Sequence, residues 1–409
     1  MKVLVLNSGS SSQKSVLFDL SSGGSGPPKH PLWEGKIEWK GEVASFEIRT
    51  PHKTNRQDET ATGNRSDEIA KLLETLCEGP HAVLKSASEI DVVGHRVVHG
   101  GPKLYEPVLV TPEVKKAIAS VESFAPLHNR AELGGIELVE RWAGPIPQVA
   151  VFDTAFHRTL PRNACQYPGP YEWFEQGIVR YGFHGINHEY CSRRVEQLVG
   201  HTPLKVISCH LGNGCSLAAI CDGNSVDTTM GFTPLEGLMM GTRSGSIDPG
   251  ILTYLMRETN VSGEQLDEML NKKSGLLGIS GVSSDMREVL AAAKEGNERA
   301  QLAFDMFVHR LQREVGSMAA ALGGLDVLVF TAGIGENSAE TRSAMCAKLG
   351  FLGVEIDNKR NSECEPDYEI SVNASKVRTF VLRAQEDWAI AEKCFRLFSR
   401  TLNPRQQAH

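Results

Sequence analysis

Apolar residues fall along this chain in short runs that stop abruptly at small or polar positions. Val3-Leu4-Val5-Leu6 closes on Asn7 and Ser8, and Ser15-Val16-Leu17-Phe18 opens after Gly9 and a stretch of serines. The pattern returns at Val206 to Leu211, which closes on Gly212-Asn213-Gly214 before Cys215-Ser216-Leu217-Ala218-Ala219-Ile220. A continuous apolar run bounded by turn residues marks a buried strand. Each place therefore predicts strand, tight turn, strand. The copies lie about half a chain apart, with Asn7 at the first turn and Asn213 at the second. That spacing predicts a duplication giving two similar α/β halves.

Ile90 to Val98, Val149 to Phe152 ending on Asp153, and Leu325 to Phe330 running into Thr331-Ala332-Gly333-Ile334-Gly335-Glu336-Asn337 predict further buried strands. Helical spacing occupies Asp67 to Leu84, Asp248 to Arg257 and Glu298 to Leu322. Asp248 reads as an N-cap and Pro249 as the first helical residue. Ser21 to Leu32 is a loop by composition. Strands alternating with helices give an α/β class, in which ligands gather at polar C-terminal strand ends.

Composition narrows the function classes. A chain of 409 residues predicts two domains or one duplicated domain. A net charge of −7 argues against nucleic acid as a partner, and no apolar run is long enough to span a membrane. The apolar start is too short for a signal peptide. Nine scattered cysteines without a CxxC pair suggest neither a disulfide framework nor a zinc site. A reducing cytoplasm fits.

Two small-residue hairpin turns can offer backbone N–H groups to phosphate oxygens, and glycine permits the close approach. One such turn is explained as a plain hairpin. Two of them, with a third glycine turn at Gly333 to Glu336, point to nucleotide binding. The third turn, G-x-G-x-x-S after a strand with Glu355 beyond, partly matches a dinucleotide fingerprint. A dehydrogenase would leave the other turns and two arginines unexplained. No P-loop motif occurs. Arg96 (GHRVVHGG) and Arg243 (MMGTRSGS) sit among glycine and apolar residues, and their forks suit phosphate or carboxylate. The plain alternative for Arg96 is an ion pair with Asp153. His95, His99, His128, His157, His184, His188 and His210 are each structural by default. His184 and His188 have metal-ligand spacing, but Gly185 and Asn187 between them suggest a loop.

Taken together, N-S-G-S-S-S-x-K from Asn7, GHRVVHGG from Gly94, FAPLHN from Phe124, VFDTAFH from Val151, RYGFHG from Arg180, SCHLGNGCS from Ser208, MGFTPLEGLMMGTRSG from Met230 and TAGIGENS from Thr331 resemble the acetokinase family end to end. The resemblance implies two duplicated RNase H-like domains of the actin-like ATPase kind, with an active site in the interdomain cleft. It puts residues 1–153 and 386–409 in one domain and 154–385 in the nucleotide-binding one. It implies a cytoplasmic, Mg²⁺-dependent homodimer, with Mn²⁺ as a substitute, that interconverts ATP and acetate with ADP and acetyl phosphate and so feeds acetyl-CoA synthesis. A propionate kinase is the near alternative, and a non-enzymatic actin-like or chaperone-like ATP switch the distant one.

By the same resemblance, Asn7 and Glu386 match metal positions. Arg96 and Arg243 match the arginines for acetate and the transferring phosphoryl, and Asp153 a carboxylate that orients an arginine or the metal. His184 matches a histidine on the γ-phosphoryl, with His128 in support. Val98, Leu127, Phe183 and Pro234 match the methyl pocket. Lys14, His210, Leu211, Gly212, Asn213, Gly214, Asp285, Met286, Arg287, Gly333, Ile334, Gly335, Glu336 and Asn337 match nucleotide positions. The chain departs from the family at Ile186-Asn187, at Ser246 and at Gln385-Glu386-Asp387. A carboxylate acceptor is ionised at neutral pH. It needs no general base, so the expected chemistry is direct in-line transfer with charge cancelled at the phosphoryl group.

Overall fold

The computed structural model describes residues 1–9, 12–21, 30–51, 53–60, 63–124, 129–202 and 204–402. It divides into two units: Met1–Ala155 with Gln385–His409, and Phe156–Ala384.

The first unit is built on strands β1 (Lys2–Ser8), β2 (Ser12–Asp19), β3 (Trp33–Lys40), β4 (Val43–Thr50), β5 (Lys53–Thr60), β6 (Val92–Val97), β7 (Val108–Leu109) and β8 (Gln148–Phe152). Their order across the sheet is β5-β4-β3-β2-β1-β6-β8-β7. β1 to β5 form an antiparallel meander, while β1, β6 and β8 run parallel. The helices Arg65–Glu74 and Asn129–Ala143 bury Leu72, Leu73, Leu138 and Val139 against Leu4, Leu6 and Trp33. The helix Glu386–Leu402 packs Ile390 and Cys394 over β6 at Gly94. A Cβ at Gly94 would meet Cys394 Sγ at 2.6 Å, so only glycine lets that helix seat.

The second unit carries β9 (Lys205–Leu211), β10 (Cys215–Cys221), β11 (Asn224–Thr228), β12 (Val327–Thr331), β13 (Tyr368–Glu369) and β14 (Arg378–Val381), in the order β11-β10-β9-β12-β14-β13. β9 to β11 are antiparallel, and β9, β12 and β14 parallel. The core topology of the first sheet is thus repeated, β9 standing for β1, β12 for β6 and β14 for β8. Among the described residues both sheets mix parallel and antiparallel pairs, unlike the all-parallel sheet of a dinucleotide fold.

Most expected elements form, with instructive exceptions. Glu298–Leu322 is one helix, and Asp248 caps the helix Pro249–Thr259 by accepting from Gly250 N. The helix expected to reach Leu84 stops at Glu74, ahead of Gly79-Pro80. The segment from Gly185, expected as a loop, is the helix Gly185–Val199. Tertiary anchoring overrides weak propensity there, because Ile186, Asn187 and His188 are all buried. The two asparagines are not equivalent either. Asn7 lies inside β1 opposite Lys14, whereas Asn213 lies in the turn between β9 and β10. Among the described residues, no helix is long and apolar enough to cross a membrane.

Candidate functional site

In the first unit the C-terminal ends of the parallel strands collect polar groups. β1 ends on Asn7 and Ser8, β6 carries Arg96 one residue from its end, and Asp153 follows β8 directly. Arg96 Nη2 donates to Asp153 Oδ2, and Nη1 donates to Ser8 O at 3.2 Å. The expected alternative, an ion pair with Asp153, is therefore present. Asp153 is completely buried. Burial works against the Arg96 charge, but Asp153 first and then Glu386 outweigh it and hold the guanidinium charged. Val98, two residues beyond Arg96, is buried. Leu127 and His128 lie outside the described residues.

Asn7 Nδ2 donates to Glu386 Oε2 at 3.2 Å and Asp387 Oδ1 at 3.0 Å. Lys14, across the β1–β2 pair, reaches Asp387 at 2.8 Å and Glu34 at 3.5 Å. Burial opposes its charge, and these two carboxylates more than restore it. Lys14 thus stands beside Asn7 and Glu386, in a different unit from the other nucleotide candidates. Asp387, not singled out from the sequence, belongs to this group. An amide and two carboxylates are hard oxygen donors, which suits Mg²⁺ completed by water and phosphate oxygens.

The second unit gathers its candidates around the β9–β10 turn. A Cβ built on Gly214 would lie 3.4 Å from both Arg243 Nη2 and His184 Nε2, so those two side chains converge on the turn. Arg243 Nη1 donates to Pro234 O at 2.7 Å. Gly241 N donates to Asn213 O at 3.0 Å, and a Cβ on Gly241 would strike Asn213 Oδ1 at 2.0 Å. Ser246 Oγ, at a family departure, accepts from Gly237 N at 3.0 Å and closes the Arg243 loop. His184 caps the helix Gly185–Val199 in the left-handed region, φ 58°. It follows buried Phe183 and stacks on His210 with centroids 3.9 Å apart. Asn187, at a second departure, donates to His210 Nδ1 at 2.9 Å.

Ser216 Oγ lies 2.9 Å from His184 Nδ1 and 2.8 Å from His188 Nε2. His188 Nδ1 is 3.0 Å from Ser208 Oγ. Both ring nitrogens of His188 are engaged by hydroxyls, so it props His184 rather than binding a metal.

Thr331 pairs with His210, which sets the helix Ala332–Asn337 beside the glycine turn. Gly333, Ile334, Gly335 and Asn337 thus form a short helix, with Asn337 Nδ2 donating to Gly333 O at 2.9 Å. Glu336 spends its carboxylate on backbone, accepting from Ala332 N at 3.0 Å and Ala384 N at 2.8 Å. Asp285 caps the helix Met286–Lys294 and pairs with the exposed Arg287. The Leu211 and Met286 side chains are buried, leaving their backbone as what they can offer a ligand.

Four buried histidines give a pH signature. Burial pushes His95, His99 and His157 down to about 4 and His188 well below the ordinary value. Unfolded imidazole takes up its proton near pH 6.5, so the unfolded chain binds more protons below that pH. These groups stabilise the fold fully above about 6.5. Each removes about 1.4 kcal/mol per pH unit as pH falls toward its folded value. The urea midpoint should therefore drop steeply between pH 6.5 and 5. A midpoint unchanged over that window would show that the four are not held neutral.

Comparison with known proteins follows the same lines. The acetokinase family profile matches residues 2–392. An acetate kinase of Nostoc sp. is 55% identical over 406 residues, covering 98% of this chain and 100% of its own. One of Gloeobacter violaceus is 54% identical over 407 residues, with 98% and 100% covered. The crystal structure of Porphyromonas gingivalis acetate kinase matches with a TM-score of 0.87 at 41% identity, covering 97% of this chain and 99% of that one. A propionate kinase from Francisella tularensis matches with a TM-score of 0.88 at 38% identity and the same coverage, 97% and 99%. With these structures the chain shares the duplicated actin-like ATPase fold.

Proposed function

The chain belongs to the acetokinase family, and on that premise we propose that it transfers the γ-phosphoryl group of ATP reversibly to acetate, giving acetyl phosphate and ADP. The observation that carries this reading is the convergence of Arg243 and His184 on the glycine turn. A second arginine, Arg96, is held charged at a strand end in the other unit. Acetate has a pKa of roughly 4 to 5 and arrives ionised. Hence no residue need act as a base. The obstacle is repulsion between an anion and a polyanion, and the remedy is fixed positive charge and aligned donors.

Arg96 orients the acceptor carboxylate, while Val98, Leu127, Phe183 and Pro234 take its methyl group. Arg243 and His184 stabilise charge on the phosphoryl oxygens, with His128 in support. Lys14, His210, Asn213 and the turn around it, Asp285 to Arg287 and Gly333 to Asn337 serve the nucleotide. Asn7 and Glu386, joined by Asp387, would hold Mg²⁺, or Mn²⁺ in its place, which neutralises phosphate charge when bound.

One methylene in an apolar pocket is worth only about 1–3 kcal/mol. The likeness to a propionate kinase therefore keeps propionate as the second reading. Trapping acyl phosphate with hydroxylamine from ATP, Mg²⁺ and acetate, propionate or butyrate tests both. Higher kcat/KM for acetate supports the first, and for propionate the second. No hydroxamate from any of the three defeats the kinase.

A cytoplasmic homodimer completes the proposal. The helix Pro249–Thr259 buries none of its residues and exposes Ile251 and Tyr254, one turn apart on the same side, an apolar pair suited to a second copy. Tyr254→Glu should halve the mass measured by light scattering. An unchanged mass would place the dimer contact elsewhere.

A further inference from the structure

Glu132 sits in the first turn of the helix Asn129–Ala143 and is only 3% exposed. Ile136 and Val139, one and two turns on, are both buried, so Glu132 lies on the helix's apolar face. Its Oε2 accepts from Val98 N at 3.0 Å. Asn129, a turn earlier, accepts from His99 N at 3.3 Å and donates to His99 O at 3.0 Å. Two side chains of one helical turn thus clasp the backbone of Val98 and His99, directly beyond Arg96.

The other oxygen, Oε1, is buried and has no hydrogen-bond partner among the described residues. Arg96, the cation acting on Glu132, already gives Nη2 to Asp153 and Nη1 to Ser8 O. Glu386 acts on the same guanidinium, so an ionised Glu132 would be a further carboxylate on one cation in a dry interior, with no compensating charge of its own. A protonated carboxyl avoids that cost. Protonation keeps a carbonyl-type acceptor at Oε2 for the Val98 N–H and leaves the unpartnered Oε1 uncharged.

We infer that Glu132 is a neutral carboxylic acid that positions the acceptor site, fixing the Val98 backbone and adding no negative charge beside Arg96. This rests on the reading of Arg96 and Val98 as the acceptor site. Burial pushes the carboxyl up to about 8. The Val98 N–H and Arg96 oppose the shift, and Asp153 adds to it. Above that pH the cluster acquires one negative charge, which repels a carboxylate acceptor and leaves the ATP interaction unaltered.

The test combines a spectrum with kinetics. The wild-type enzyme at pH 7 should show an infrared carbonyl band of a protonated carboxyl that vanishes in Glu132→Gln. In wild type the acetate KM should rise roughly tenfold as pH passes above about 8, with the ATP KM steady. In E132Q the acetate KM should stay level over the same range. Absence of the band overturns the inference. So does a band accompanied by the same acetate KM profile in both proteins, since Glu132 would then be a plain structural clamp. Were E132Q not to fold, a level wild-type acetate KM across pH 8 would overturn the inference alone. If Val98→Ala and Arg96→Gln also leave acetate KM unmoved, the acceptor-site reading fails, whatever the spectrum shows about Glu132.

Discussion

Arg243→Lys should lower kcat by about 10²–10³-fold with little change in thermal midpoint, the loss typical of removing one preorganised transition-state donor. The reason is geometric. Arg243 fixes one end of its fork on Pro234 O while the other amino group reaches the glycine turn near His184. A lysine keeps the charge but has no planar fork. It cannot hold the Pro234 carbonyl and face a phosphoryl oxygen together. The side chain is only partly buried, so the exchange leaves no isolated charge in the core. Steady-state kinetics with saturating ATP and acetate gives the answer. A kcat within threefold of wild type would remove Arg243 from the transition state.

Asp153→Asn should cost about 3–5 kcal/mol of stability, measured by urea unfolding at pH 7, because it leaves the Arg96 guanidinium without its ion partner. Activity should fall with it, since Arg96 loses the contact that aims its fork. Asp153 is one of the groups that keep Glu132 protonated. Removing its charge lets Glu132 ionise toward Arg96, which places the loss at the low end of the range. The double variant with Glu132→Gln should then lose more than the sum of the single changes, as expected for groups sharing one partner. A single-variant loss under about 0.5 kcal/mol, within the range of a surface change, would mean that the buried pair does not hold the strand ends together.

By itself the sequence determined the features that depend on neighbours along the chain. Alternating apolar runs and small-residue breaks set the β1–β2 and β9–β10 hairpins. Asp248-Pro249 set a helix start, and the placement of Arg96 and Arg243 among glycines marked them as candidates for phosphate or carboxylate. These signals are local because strand, turn and cap preferences act within a few residues.

The tertiary structure decided whatever depends on distant partners. Gly185 and Asn187 look like loop residues, yet a helix begins there because Asn187 finds His210 on β9 and Thr331 on β12. His188 is read from its spacing with His184 as a weak metal-ligand candidate, structural by default, until the fold brings Ser208 and Ser216 to its two nitrogens. Asn7 and Asn213 look alike until register places one inside a strand and the other in a turn. The helix Asn129–Ala143 is not among the expected elements, so the burial of Glu132 beside Ile136 and Val139 emerges only in the fold. That its charge is suppressed follows from that burial, with Asp153 adding to it. Such long-range burial sets the cost of a charge, and no local pattern encodes it.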